Sequence, residues 1–288
     1  MRVILSPNPY RDRGLKAAQS AQKVLEGCGV EVSICLPFDV DENSRLDIPE
    51  QVQISKLEDE LKRSDVLVCF GGDGTILHAA RDANPYNIPV LGINLGSVGF
   101  MAELEQSELS LLSRLASGKY SIERRMMLDV AVKRDGRRIF SETALNDAVV
   151  TKNAVGRVLD LEVTGDRTPL SSFSGDGVII ATPTGSTAYS LAAGGPIVEP
   201  TAENMIMTPI CAHSLHAKPI VLDSSRAVGV RIAAGSRKTA FLSVDGGRAF
   251  KIQPGDWVEC RKAEQTTRLI RLTGRSFYER INQKLGKV

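Results

Sequence analysis

Two hydrophobic periods divide this chain. Through the first 120 or so residues, short stretches at 3–6, 30–36 and 89–93 read as strands, and the continuous apolar run at 66–70 reads as a strand covered on both faces. Between them apolar residues recur at helical spacing. Leu15, Ala18, Ala21, Val24 and Leu25 form one such stripe, stopped by Gly27, and further helices are predicted over 54–62, 76–82 and 107–117. Strand and helix alternate, so a parallel sheet flanked by helices is expected. From about Met127 the period becomes two: residues 128–133, 158–163, 228–232 and 257–261 alternate. Asp135-Gly136, Gly165-Asp166, Asp245-Gly246 and Pro254-Gly255 punctuate them, which predicts antiparallel strands in two packed sheets. One helix is expected there, over 187–193, ended by Gly194-Gly195-Pro196, and residues 277–285 return to the helical period.

Composition narrows the function classes. The chain has 288 residues, 42% hydrophobic and 24% charged, the balance of a soluble globular protein able to build a core without staples. Lys+Arg 36 against Asp+Glu 34 leaves +2, and aromatics are 5%, so neither a nucleic-acid footprint nor a base-stacking platform is expected. No apolar run approaches the roughly 18 residues of a membrane span, and the apolar start is too short for a signal segment. The five cysteines are scattered without a CxxC pair. A zinc or disulfide framework is not expected, and a reducing cytoplasm is the natural compartment.

Chemistry concentrates in glycine- and hydroxyl-rich segments. Gly71-Gly72-Asp73-Gly74-Thr75 follows the strand at 66–70 and opens a helix. Its glycines bring N–H groups close to a ligand, and the helix start favours phosphate oxygens. Asp73 is anomalous beside a phosphate cradle unless it takes a proton or meets a metal; otherwise it is an N-cap. Gly92-Ile93-Asn94-Leu95-Gly96-Ser97-Val98-Gly99-Phe100 offers a second glycine wall or a plain loop. Gly175-Asp176-Gly177 precedes a strand and then Thr182-Pro183-Thr184-Gly185-Ser186-Thr187-Ala188-Tyr189-Ser190, whose hydroxyls donate and whose Tyr189 presents a flat face to a purine. Asn146-Asp147 lies in a strand-like run over 144–150, as ribose-binding groups or as an edge-strand polar pair. His78 stands one turn into the helix after the first glycine loop. His78, His213 and His216 lack metal-ligand spacing, and neither a Walker A loop nor a G-x-S-x-G elbow is present.

Together Gly71–Thr75, Asn146-Asp147, Gly175-Asp176-Gly177 and the segment 182–195 resemble, in order and spacing, the NAD kinase family. Thr208-Pro209-Ile210-Cys211 and Val244-Asp245-Gly246 extend the resemblance. It implies a Rossmann-like α/β N-terminal domain with a parallel sheet (1–124, with the tail 272–288 packing back on it). It also implies a β-rich, β-sandwich-like C-terminal domain (125–271), with the site in the cleft between the two. It implies transfer of the ATP γ-phosphoryl to the 2′-hydroxyl of the adenosine ribose of NAD, giving NADP. Mg²⁺ would travel with ATP rather than sit on protein ligands, and the chain would form a homodimer or homotetramer.

Position by position, Asp73 matches the family's proton acceptor, Gly74 its neighbour at the ligand, with Gly72 as a further loop donor. His78 stands where a basic residue is frequent, Asn146 and Asp147 match the ribose pair, and Arg157 matches a ligand-touching position. Asp176 matches the second acidic position, with Ser174 two residues before it. Thr187, Ala188, Tyr189 and Ser190 match the adenine and ribose wall. Gly247, Ser174, Ala212 and Lys218 depart from commoner residues, Gln, Arg or Lys, Pro and Arg respectively. Two other readings use the same residues: a lipid or sugar kinase sharing the GGDG loop, and a non-catalytic NAD(P)-binding regulator. The hydroxyl-rich wall at 182–190 suits an apolar acceptor poorly, which favours the dinucleotide.

Overall fold

The computed structural model describes residues 1–37, 46–96, 99–153, 157–234, 236 and 238–286. It separates into two units, residues 1–124 with 267–288, and residues 125–266.

In the first unit five strands run parallel in the order β3-β2-β1-β4-β5. They are β1 (Arg2–Pro7), β2 (Glu31–Cys35), β3 (Ile54–Ser55), β4 (Val66–Gly71) and β5 (Val90–Asn94). Beside β5 lies β6 (Leu104–Glu105). The continuous apolar run at 66–70 is the inner strand β4, and β4 and β5 are buried along their whole length. Helix α1 (Lys16–Glu26) packs Ala17, Ala18, Ala21 and Leu25 against Val3, Leu5, Val68 and Phe70, and α4 (Leu112–Ala116) adds Leu112 and Leu115. Burying one such large side chain contributes about 1.5–3 kcal/mol. Asp12 supplies the missing start signal of α1, accepting the N–H groups of Ala17 (2.9 Å) and Ala18 (3.0 Å).

Three predicted helices have different bounds. The one expected at 54–62 is shortened to α2 (Leu57–Leu61), because Ile54 pairs with Ile34 as a sheet edge. The one expected at 76–82 is α3 (Asp73–Ala83), which starts directly after its N-cap Gly72. The stretch at 107–117 divides into a 3₁₀ segment, Gln106–Leu111, and α4. The closing helix α6 (Phe277–Leu285) has the expected bounds, fixed by a capping box between Ser276 and Glu279.

The second unit is β-rich. One antiparallel sheet runs β14-β13-β12-β9-β16-β17. Its strands are β9 (Asp147–Lys152), β12 (Gly177–Ala181), β13 (Asn204–Ile210), β14 (Ile220–Asp223), β16 (Ala240–Val244) and β17 (Phe250–Ile252). Another contains β10 (Leu159–Gly165), β11 (Thr168–Gly175), β15 (Val228–Ile232) and β18 (Trp257–Arg271), with the hairpin β7 (Ser121–Arg134) and β8 (Arg137–Ala144) beside β18. The hairpin turns on Asp135 and Gly136, both at positive φ (50° and 77°), the pairing a two-residue turn requires. Val150, Val178, Met207 and Leu242 of one sheet share a core with Val130, Leu161, Val230 and Val258 of the other. Trp257 lies across Gly229, where a Cβ would collide with the indole. The helix expected at 187–193 is reduced to a 3₁₀ turn, Gly185–Thr187, and α5 (Tyr189–Ala192). No helix among the described residues is long and apolar enough to cross a membrane.

Candidate active site

Asp73 is the first residue of α3, and its side chain does not cap the helix. The N-cap is Gly72, so the capping explanation of this carboxylate fails. Instead Asp73 Oδ2 accepts the N–H of Phe100 at 2.8 Å and Oδ1 that of Met101 at 3.0 Å. Each oxygen keeps a lone pair for a further donor. Gly99 permits this approach, since a Cβ there would strike the carboxylate. The second glycine run thus faces the first, through its end at Gly99 and Phe100; Ser97 and Val98 lie outside the described residues.

The segment holding Asp73 is itself held. Arg280 of α6 donates to the Phe100 carbonyl at 3.0 Å, and Arg271 to the Met101 carbonyl at 3.1 Å. Both guanidinium groups meet the buried Glu103, at 2.9 and 3.2 Å. Glu103 also accepts from the Leu272 and Thr273 N–H groups and the Thr273 hydroxyl, all within 2.8 Å. Burial pushes its pKa up, but the Thr273 hydroxyl and Arg271 more than offset this, and it lies below the usual carboxylate range.

Gly72 and Gly74 border open space; a Cβ at either would meet nothing within 4 Å. They line a cavity of about 270 Å³ with Asn8, Arg11, Thr75, His78 and Asp82. Gly71 differs in being closed, its Cβ position already filled by Thr75. Asn8 and Arg11 are the neighbours that motif reading did not find, because they come from the turn after β1.

In the second unit, the run expected as one strand over 144–150 breaks at Leu145-Asn146. The Asp245 carboxylate accepts the N–H groups of Leu145 (2.7 Å), Asn146 (2.8 Å) and Asp147 (3.0 Å). From the other motif, the Thr182 hydroxyl donates to the Leu145 carbonyl at 2.5 Å and the Thr182 N–H to Asn146 O at 2.8 Å. Gly185 packs so closely on Asn146 that a Cβ would clash with its backbone. Asn146-Asp147 and the segment 182–190 therefore form one locked unit. Asp147 is 5% exposed and starts β9, which lies between β12 and β16, so an edge position does not account for it. Burial and the nearby Asp245 charge push its carboxyl up to about 7. The clasping role of Asp245 was readable only as the turn Val244-Asp245-Gly246, where Asp245 has φ 49°.

The remaining predicted residues have varied settings. Asp176 pairs with Lys152 at 2.7 Å. Ser174 donates to Asp160 at 2.5 Å, which Lys238 also meets at 2.7 Å. Thr187 donates to the Thr184 carbonyl, and Ala188 N–H to that of Gly185. Tyr189 is 44% exposed and free to present its ring, whereas the Ser190 hydroxyl is fully buried against Thr208 (2.8 Å). Arg157 is exposed and outside any element; its neighbour Gly156 lies outside the described residues. The departing Gly247 closes the Asp245 turn, its N–H on the Val244 carbonyl at 2.8 Å. Among the described residues no group of three His, Cys, Asp or Glu side chains could hold a metal ion.

Sequence models of the ATP-NAD kinase N-terminal domain and the ATP-NAD kinase C-terminal domain match residues 8–120 and 145–272. A NAD kinase of Symbiobacterium thermophilum is 46% identical over 223 residues, 77% of this chain and 78% of its own. One of Acetivibrio thermocellus is 34% identical over 286 residues, 99% of this chain and 97% of its own. Among solved structures, yeast NADH kinase complexed with NADH matches with a TM-score of 0.84 at 28% identity, covering 100% of this chain and 88% of that one. A NAD kinase from Archaeoglobus fulgidus in complex with ATP shares the fold, with a TM-score of 0.75 at 24% identity over 100% of both chains.

Proposed function

The chain belongs to the NAD kinase family, and we propose how this enzyme, which phosphorylates NAD with ATP, divides the task among its residues. Asp73 accepts the proton of the adenosine ribose 2′-hydroxyl as that oxygen attacks the γ-phosphorus. The bond from the γ-phosphorus to the β,γ-bridging oxygen breaks, and ADP leaves with the electron pair. The observation that carries this reading is the Asp73 carboxylate itself, held by two N–H donors instead of spent on the helix cap. A fixed base of this kind supplies on the order of 10² to 10⁴ in rate. The rest of the acceleration comes from positioning and charge neutralisation.

Gly72 and Gly74 give the phosphates an open N–H face at a helix start, beside His78. Asn146 and Asp147 hold the ribose hydroxyls, and Tyr189, with Thr187 and Ala188, covers the adenine. Ser190 supports this wall from inside through Thr208. Asp176 and Arg157 contact the dinucleotide, and Ser174 acts through Asp160. A divalent ion carried by the triphosphate would neutralise charge on its β and γ oxygens. The first unit is read as Rossmann-like and the second as a β-sandwich, and the reading includes a homodimeric or homotetrameric assembly in the cytoplasm. The test supplies ATP, Mg²⁺ and NAD and measures NADP through an NADP-specific dehydrogenase. NADP formation supports this function; lipid phosphorylation, or NAD binding without turnover, would replace it.

A further inference from the structure

A phosphoryl donor brings several negative charges, and the glycine loop at 71–75 contains no Lys or Arg to meet them. The fold brings one from far back in the sequence. Arg11 lines the same cavity as Gly72, Gly74 and His78. Its guanidinium also borders the second glycine run, 3.7 Å from the Cβ position that Gly96 leaves empty.

The backbone carrying Arg11 is fixed to the loop. Asn8 N–H donates to the Phe70 carbonyl at 3.1 Å, and the Asn8 amide reaches the Thr75 hydroxyl at 3.3 Å. The Asn8 carbonyl then accepts the N–H groups of Arg11 (3.0 Å) and Asp12 (2.8 Å), closing the turn. The Arg11 side chain makes no hydrogen bond or ion pair with any described residue. Asp82, the acidic residue of the cavity lining, meets Arg81 at 3.7 Å. An uncommitted guanidinium and the open N-terminal end of α3 both present positive potential to one cavity.

We propose that Arg11 binds the anhydride-linked phosphates of the donor. Its planar fork suits two phosphate oxygens at once, which a lysine ammonium does not reproduce. The assignment rests on the kinase reading above and adds to it a donor-side guanidinium beside the divalent ion.

Two measurements separate the two claims. Calorimetric titration with inorganic tripolyphosphate and Mg²⁺ reads the phosphate site without turnover. Steady-state kinetics read its use. Arg11→Gln is expected to lower tripolyphosphate affinity and kcat/KM for ATP at least tenfold, with KM for NAD within twofold of the parent. Arg11→Lys is expected to recover part of both losses. Because Arg11 is exposed, both variants should melt with the parent. Arg11→Gln binding tripolyphosphate as the parent does, or a parent that does not bind it, overturns the assignment. Arg11-dependent binding without any NADP formation leaves the phosphate site standing and removes the kinase reading instead.

Discussion

Asp147 keeps its proton to about pH 7 because it starts a central strand, out of water and beside a second carboxylate. The sign follows from linkage. A carboxyl raised from 3.8 to about 7 on folding favours the folded state below its unfolded value, and that advantage is lost as pH rises through about 7. The full swing is of the order of 4 kcal/mol. Asp147→Asn should therefore gain stability over the parent between pH 4 and pH 8; thermal melts showing a constant difference would mean Asp147 does not titrate in this range. In the proposed ribose role the ionised carboxylate accepts hydroxyl hydrogen bonds more strongly than the protonated acid, so KM for NAD should fall as pH rises through 7, and Asp147→Asn should flatten that dependence. Asp73 calls for a different experiment. Asp73→Asn should lower kcat by roughly 10² to 10⁴ with little change in NAD affinity, and near-normal turnover would exclude it as the base. Its oddity was visible in the sequence, because a carboxylate in a glycine loop whose helix start favours anions needs a purpose. Its two N–H donors were not, since Phe100 and Met101 reach it through folding and no spacing rule links them.

At the scale of elements, α6 is more than a closing helix. Its Arg280 holds the carbonyl of Phe100, whose N–H holds Asp73. Arg280→Met should cost roughly 3 kcal/mol, since it removes one partner of a buried ion pair. It should also lower kcat more than it raises KM for NAD. Equal kcat in a folded variant would restrict Arg280 to a structural part. Glu103 at the centre has a depressed pKa, so its contribution is present above about 4.5 and is lost as pH falls through its lower folded value. Helix α6 was legible from its helical period alone; the capping box between Ser276 and Glu279 that fixes its start emerged with the structure. Helix α2 was misjudged at its start because nothing local reveals that Ile54 will join a sheet edge. The break at Leu145-Asn146 was equally hidden, because it depends on Asp245 and Thr182, residues distant in sequence.

For the whole molecule, the change of period near Met127 foretold the change in architecture, because strands buried on both faces and strands with one dry face demand different patterns. Composition contributed chiefly exclusions. The families of turns that build the candidate site were legible as motifs, whereas the cation at Arg11 emerges only where β1 lies beside β4 in the parallel sheet.

The indole lying across Gly229 has a practical consequence. It is the sole tryptophan of the chain and belongs to residues 125–266. Emission excited at the red edge of the near ultraviolet therefore watches one half of the polypeptide, while far-ultraviolet dichroism watches both. In a urea titration, coincident midpoints would mean that the halves melt as a single cooperative body, and a gap between them would give each its own free energy.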